Sequence, residues 1–524
     1  MSSASSSSSG NSDATSDTDS TLNAHMKFFN LDDGDEDKEE LAACPLFTHD
    51  VLKYGTSMDE NPFTQHGLLG GVVENNGAAY GNVDDVAKDP RLYFNATAPS
   101  SVFICGSQGS GKSHTLSCLL ENCLMQSEAN VLPRPLTGIV FHYDPWVSAT
   151  RGSPCEAAYL ASAEDVSVRV LCPPTNVRQI QAIYSKLPNV QVEALRINQS
   201  DLNTKRMMDL MARILRDLRI EQQQKSTSFN YLEFKNRLMK EDMAIGQLVP
   251  LQQRLETLES FMVKEQVIKV AGKAVKQSVG KGIDWKPKAG QLTIIDLSCP
   301  CVTEETACSL FNICLSLFLE QNPEDIGRVV ALDEAHKYMT DTAECEVLTQ
   351  ALLSNIRLQR HLGVRVIIST QEPTISPKLL DLCSVTIVHR FTSPDWLQSL
   401  KKHLAGASIS LLTKTSNGHS DGDDNMNSLA ADINPNDFAM KLFSKIVALR
   451  RGQALLFCPS AIIDVLTTAL KLENGSSTGN AWDNSKDSVL KEVNPQLVKL
   501  SHGHMKIRVR KRMTQDGGRS ILAV

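Results

Sequence analysis

Apolar residues in this chain fall into short unbroken runs, separated by longer stretches where they recur every three or four positions. Runs at 101–105, 138–144, 166–171, 190–197, 292–297, 329–332 and 364–369 are of strand length. A run without polar alternation suits a strand covered on both faces. After the first run, residues 114–125 place Leu116, Leu119, Leu120, Cys123 and Leu124 on one helical face, and residues 304–319 form an apolar helix. Near the end, a turn at Arg451-Gly452 leads into a further apolar strand up to Cys458. Strands alternating with helices predict an α/β core around a mostly parallel sheet.

The remaining segments read differently. Residues 1–25 are Ser-rich and 32–40 are acidic, so 1–42 is expected to be a disordered tail. Residues 43–97 carry turn signals at Gly70-Gly71, Asn75-Asn76-Gly77 and Asp89-Pro90 and read as an irregular lead-in. The first part of the core spans 98–203. A helical insertion and basic linker follow at 204–290, where Met207, Leu210, Met211, Ile214 and Leu218 share a face. The second part of the core spans 291–471, with a Ser/Asn/Asp/Gly-rich loop at 405–437. A C-terminal extension, 472–524, begins with another loop and contains the alternating basic stretch Lys506 to Arg512. That stretch fits a nuclear-import signal, a set of phosphate contacts or a solvated edge strand.

Charge and cysteine change the picture little. The net charge is −7, but the first 50 residues hold eleven acids and two lysines, leaving +2 for the rest. Nucleic acid is therefore not excluded as a partner. Thirteen scattered cysteines suit a reducing compartment, cytoplasmic or nuclear. No run reaches the ~18–20 apolar residues of a membrane span.

The chemistry concentrates at strand ends. Gly106-Ser107-Gln108-Gly109-Ser110-Gly111-Lys112-Ser113 fits G-x-x-x-x-G-K-[ST], and it lies between an apolar strand and a helix beginning at His114. Such a loop wraps phosphates in backbone N–H groups at a helix N-terminus, so Gly106 to Ser113 together with His114 are the candidate ATP-binding residues. Lys112 is placed for the β/γ-phosphates of ATP and Ser113 for Mg²⁺. Asp333-Glu334 closes an apolar strand, with Asp333 as the second Mg²⁺ residue and Glu334 as general base for the attacking water. Gln371, closing the next strand, is the candidate sensor or water-orienting residue; Asp144 and Asp333 likewise end strands, where open α/β sheets bind ligands. The string Asp333-Glu334-Ala335-His336 invites a DEAH-box helicase reading, but no Ser-Ala-Thr run follows and no second motif set exists. His336 is then expected to be an ordinary helix residue.

The chain resembles the HerA/FtsK branch of P-loop motor ATPases across about residues 98–460. The likeness rests on the phosphate loop, on Ile294-Ile295-Asp296-Leu297-Ser298, on Leu332-Asp333-Glu334-Ala335-His336, and on Arg360-His361-Leu362-Gly363-Val364 leading to Ser369-Thr370-Gln371-Glu372-Pro373. The turn and strand Arg451-Gly452-Gln453-Ala454-Leu455 is also similar. The resemblance implies a RecA-like P-loop NTPase core and a homo-oligomeric, usually hexameric, ring that drives double-stranded DNA or another polymer with ATP and Mg²⁺. It also implies that Arg360 is the arginine finger reaching a neighbour's nucleotide, with Arg357 and Arg365 as competitors. A second class of function is an ATP-switched scaffold that hydrolyses slowly and moves nothing.

Overall fold

The computed structural model describes residues 33–76, 89–146, 152–198, 231–240, 245–263, 282–321, 326–373, 375–400, 435–466 and 495–517. All sixteen described strands join one sheet with two halves of different character. One half is parallel. Its spatial order is β12 (Val385–His389), β4 (Ser101–Cys105), β11 (Val364–Thr370), β10 (Arg328–Leu332), β6 (Thr137–His142), β9 (Gln291–Asp296), β7 (Ser167–Cys172) and β8 (Val190–Ala194). The strand carrying the phosphate loop, β4, is separated from the strand carrying the acidic pair, β10, by β11. Register aligns their ends: Cys105 pairs with Thr370, and Leu332 with both Ile368 and Phe141. Residues 106–111, Asp333, Gln371 and Asp144 therefore emerge at one edge.

Successive side chains on these strands point to opposite faces. Phe103, Phe141, Ile295, Leu332 and Ile368 pack with Phe311, Tyr338 and Leu348, from α7 (Glu304–Leu319), the turn after β10 and α8 (Ala343–Arg357). Val102, Ile104, Val140, Ile294, Ala331 and Ile367 pack on the other face with Leu116, Leu120 and Leu124 of α3 (Lys112–Leu124). The expected strands and α3 lie where the periodicity places them. The insertion contributes α5 (Tyr231–Leu238) and α6 (Ile245–Phe261), whose Tyr231, Phe234, Leu255 and Phe261 join the first face. The helical face from Met207 to Leu218 lies outside the described residues, as do 405–434 and 472–487; residues 435–437 begin α11 (Pro435–Val447).

The other half of the sheet is mostly antiparallel and corrects three expectations. From β12 it continues through β13 (Gln453–Phe457), β16 (His504–Val509), β2 (His66–Asn76), β3 (Arg91–Asn95), β1 (Leu46–Thr48), β14 (Ile462–Leu466) and β15 (Gln496–Lys499). Residues 43–97 are thus not an irregular lead-in: they supply three strands and α2 (His49–Thr56). Gly70-Gly71 lies within β2. A Cβ on Gly70 would sit 2.3 Å from the Arg508 carbonyl, so the glycine marks close backbone approach, not a turn. The disordered tail does not extend to 42, because Asp33–Ala43 is helical (α1). Its C-terminal end is fixed by buried Leu41 and by Asn95 Nδ2, which donates to the Ala42 and Cys44 carbonyls at 3.2 and 2.9 Å. Residues 1–32 lie outside the described set. The basic strand is not at an edge: β16 runs between β13 and β2.

Candidate nucleotide site

The loop after β4 needs its glycines. Gly111 has φ +117°, and a Cβ there would meet the His389 ring and the Gly452 nitrogen. Gly106 packs against β12 so closely that a Cβ would lie 2.7 Å from the His389 Cβ. The loop is held by chain segments remote in sequence. Ser107 donates from N and from Oγ to the Arg390 carbonyl at 2.9 and 2.8 Å. Ser110 Oγ donates to the Ser107 carbonyl at 2.7 Å, and Gly452 N to the Ser110 carbonyl at 3.4 Å. Gln108 and Gly109 are exposed at the tip.

His389 lies beneath this loop, fully buried. Its Nδ1 is 3.0 Å from the Gln453 carbonyl, so that nitrogen carries the proton, and Nε2 is 2.9 Å from Thr115 Oγ1. Burial pushes its pKa down to about 4, and the Lys112 charge adds to this. A neutral ring there adds no positive charge to the phosphate pocket.

Lys112 is 4% exposed, and its Nζ donates to the Ser107 carbonyl at 3.2 Å. Burial lowers its pKa, while Glu334 and Asp333 favour the charged form. Ser113 is half-buried in the first turn of α3. His114 faces elsewhere: its Nε2 donates to the Arg510 carbonyl at 2.7 Å, joining α3 to the C-terminal segment.

Across β11, Asp333 is 2% exposed. Its Oδ2 meets His142 Nδ1 at 3.1 Å and the Cys155 thiol at 3.6 Å, and its Oδ1 is buried without a hydrogen-bond partner. Burial alone would raise the Asp333 pKa; the His142 hydrogen bond and charge outweigh it and hold the carboxyl below its usual range. His142 is correspondingly raised: burial opposes its charge, but Cys155 and Asp333 outweigh that. A buried polar atom without a partner is costly and calls for an explanation. Asp333 Oδ1 and the Ser113 hydroxyl are hard oxygen donors of the type Mg²⁺ takes alongside phosphate oxygens and water. The residues present fit that ion.

Glu334 occupies the left-handed region, φ 48° and ψ 47°, unusual for a non-glycine residue at a strand end. Gln371 Nε2 donates to Glu334 Oε2 at 3.2 Å, so the candidate sensor and the candidate base are in direct contact. His336 is not an ordinary helix residue. It sits in a short 3₁₀ turn, with Nδ1 3.3 Å from Glu334 Oε2 and accepting the Gln371 N–H at 3.4 Å. Its pKa is lowered by burial against the pull of Glu334. Asp144, by contrast, pairs with Lys337 at 3.4 Å and takes a Ser298 hydroxyl at its N–H.

Arg360 is exposed on the short helix Gln359–Leu362, before β11 and so at the edge opposite Gln371. Arg357 is also exposed. Arg365 is 5% exposed, and its guanidinium donates to the Gly363 carbonyl at 2.9 Å and to the Thr97 carbonyl, which removes it as a finger. Reasoning from sequence missed His142, Cys155, His389 and Arg390; the polar His389 closing an apolar stretch was the one available signal.

No protein-family model and no curated protein matches the chain. Among solved structures, it is similar to VirB4 of Thermoanaerobacter pseudethanolicus at 12% identity, covering 74% of this chain and 94% of that one, with a TM-score of 0.32. It is similar to the genome packaging NTPase B204 from Sulfolobus turreted icosahedral virus 2, in complex with ATP-gammaS, at 10% identity over 69% and 92%, TM-score 0.25. EssC (ATPases 2 and 3) from Geobacillus thermodenitrificans gives 12% identity over 74% and 42%, TM-score 0.25. Scores this low do not carry a fold by themselves; strand order and loop geometry do. With a phosphate-loop sequence on β4, an acidic pair on β10 and a glutamine on the intervening β11, the structure brings these motifs to one edge of a mostly parallel α/β sheet, the layout of a RecA-like nucleotide-binding core.

Proposed function

We propose that this protein is an ATP-driven motor that works as a homo-oligomeric ring on double-stranded DNA or another polymer. The observation that carries the hydrolytic part is the Gln371–Glu334 hydrogen bond, which ties the end of β10 to the end of β11, the strand beside the phosphate-loop strand β4. Lys112 offsets the charge of the β/γ-phosphates once it exchanges the Ser107 carbonyl for them. Glu334 takes the proton of the attacking water, and Gln371 holds its carboxylate in place. Mg²⁺, held through Asp333 and Ser113, supplies charge neutralisation to the phosphates.

The ring rests on Arg360. An exposed cation at the edge opposite its own nucleotide is suited to a neighbour's site. In this reading the parallel half of the sheet is the ATPase core and the antiparallel half its flank, with α5 and α6 of the insertion packed on one face. Among the described residues no helix is long and apolar enough to cross a membrane. On its thirteen free cysteines, which suit a reducing compartment, we place the protein in the cytoplasm or nucleus. The test measures ATP turnover of a sized oligomer with and without double-stranded DNA. Turnover that DNA stimulates, and binding that falls steeply with salt, support the motor. Slow turnover indifferent to DNA overturns it in favour of an ATP-switched scaffold. Mixing Arg360→Ala with Lys112→Ala subunits restores some activity if the arginine acts across a boundary, and leaves the mixture inactive if it does not.

A further inference from the structure

All thirteen cysteines are free, and two of them touch. Cys308 lies in the first turns of α7 and Cys345 in the first turn of α8, with their sulfurs 2.9 Å apart. Both thiols also face the carbonyl of Tyr338, at 3.0 and 2.9 Å, and that oxygen additionally accepts the Thr340 N–H at 3.1 Å. Tyr338 closes the turn that begins at Glu334. Lys337 N donates to the Glu334 carbonyl at 2.9 Å, and Tyr338 N and Met339 N donate to the Ala335 carbonyl at 3.2 and 2.8 Å. The thiols thus clasp one end of a tight turn whose other end carries the candidate general base.

We propose that Cys308 and Cys345 form a peroxide-sensitive dithiol, whose disulfide releases the Tyr338 carbonyl and switches ATP turnover off. Both cysteines are almost fully buried, which excludes bulky oxidants. Thr340, Thr342, Ala343 and Glu346, which bracket Cys345 in sequence, line a surface groove, so only a thin layer of chain separates Cys345 from solvent, and a water-sized oxidant, hydrogen peroxide, is taken as the one that reaches it. Cys345 is the attacking sulfur. The hydrogen bond from Cys308 brings its pKa down to about 6, and its place in the first turn of α8 also favours thiolate. That same bond raises Cys308, which stays a thiol.

In the first step the Cys345 thiolate attacks one peroxide oxygen, the O–O bond breaks, and the leaving hydroxide takes a proton to become water; Cys345 is now a sulfenic acid. In the second, the Cys308 sulfur displaces the sulfenic hydroxyl, which leaves as water with the Cys308 proton. Two thiols and one peroxide become one disulfide and two waters. The sulfurs close from 2.9 Å to about 2.05 Å. The one thiol hydrogen shared by the two sulfurs and the Tyr338 carbonyl leaves with the water, so Tyr338 loses its sulfur donor and the turn holding Glu334 loosens. The effect on turnover rests on the ATPase reading above; formation of the disulfide does not.

The experiment treats the reduced full-length oligomer with graded hydrogen peroxide, alkylates the remaining thiols, and digests without reductant for mass spectrometry. The expected product is a peptide pair joined through Cys308 and Cys345, lighter by two hydrogens, appearing in step with loss of ATP turnover and reversed by dithiothreitol. Cys345→Ser should abolish both responses. Cys308→Ala should stall Cys345 as a sulfenic acid, which dimedone traps when the oxidised protein is denatured in its presence. A wild-type protein with no linked pair at peroxide levels that oxidise Cys345 further to sulfinic acid overturns the dithiol. A linked pair with unchanged turnover, or a Cys345→Ser protein as peroxide-sensitive as wild type, overturns the switch. If the reduced protein hydrolyses no ATP, the ATPase reading fails; the linked pair, and its effect on binding of a fluorescent ATP analogue, then decide the proposal separately.

Discussion

Asp333 and Glu121 are both buried carboxylates with a cationic partner, and they are built in opposite ways. Glu121, on α3, accepts Arg510 Nη1 at 2.7 Å, the Thr514 hydroxyl at 2.6 Å, and the N–H groups of Met513 and Thr514 at 3.1 and 3.0 Å. Arg510 in turn donates to Asn122 Oδ1 and to the Leu68 and Cys118 carbonyls. Burial alone would raise Glu121; the Thr514 and Arg510 bonds reverse this and hold it below its usual range. The cluster is complete and leaves nothing for a ligand. Asp333 has one oxygen satisfied and one orphaned. A finished polar network rigidifies; an unfinished one at a strand end is poised to take something up. The contrast separates structural charge from chemical charge in a single domain. It also accounts for three of the five basic residues in the C-terminal stretch Lys506 to Arg512. Arg510 fixes the P-loop helix, Arg512 pairs with Glu156 at 3.2 Å, and Lys506 pairs with Glu74 at 2.8 Å.

The contrast breaks most visibly at Glu334. Glu334→Gln should keep nucleotide binding and thermal stability yet lose ~10²–10⁴-fold in turnover, as for removal of a general base. Steady-state phosphate release beside a melting curve checks it; normal turnover would place the base elsewhere.

At the structural joint the loss should appear in stability instead. Arg510→Ala leaves Glu121 buried without its cation and should cost about 3–5 kcal/mol. Asp333→Asn, by the same urea titration, should cost far less while removing Mg²⁺-dependent turnover. Equal destabilisation by the two would erase the distinction.

His389 sharpens the comparison by pH. It is neutral when folded, with a pKa of about 4, against 6.5 for an ordinary histidine. The unfolded chain takes up a proton below 6.5 and the native one only near 4. Stability is therefore fully present above 6.5 and falls as pH drops through that window, by up to about 3 kcal/mol. Melting temperature against pH should flatten in His389→Asn; His504, also near 4, leaves a residual slope in both proteins. An unchanged slope in the variant would remove His389 from the account.

The smallest effect is expected at Gln371. Gln371→Ala removes the amide that holds the Glu334 carboxylate but leaves the carboxylate itself, so turnover should fall by no more than ~10²-fold, the scale of a small misplacement. A loss as large as that of Glu334→Gln would make the glutamine part of the chemistry and not a positioning group.

The chemical half of this comparison was legible in the sequence and the structural half was not. The phosphate loop, Asp333-Glu334 and Gln371 declare themselves because each closes an unbroken apolar run, and α7 spans 304–319 as its apolar pattern requires. Strand neighbours are not encoded in such runs, so the placing of β11 between β4 and β10 became visible only in three dimensions. The flank was misread for a specific reason. Its glycines serve backbone contact, as Gly70 does against Arg508, and its basic residues are neutralised by acids up to several hundred positions away, as Arg510 is by Glu121. Neither local composition nor spacing carries that information.

The phosphate loop is contiguous in sequence, yet it is braced by Arg390, by Gly452 and, through His114, by Arg510. Contacts of such high sequence separation close late, because long loops must be closed before they stabilise anything. During synthesis the loop emerges early, but its braces emerge hundreds of residues afterwards. A nascent chain stopped before about residue 510 would carry the full nucleotide motif on an unbraced helix, so competence to hold ATP would arrive only with the last strand.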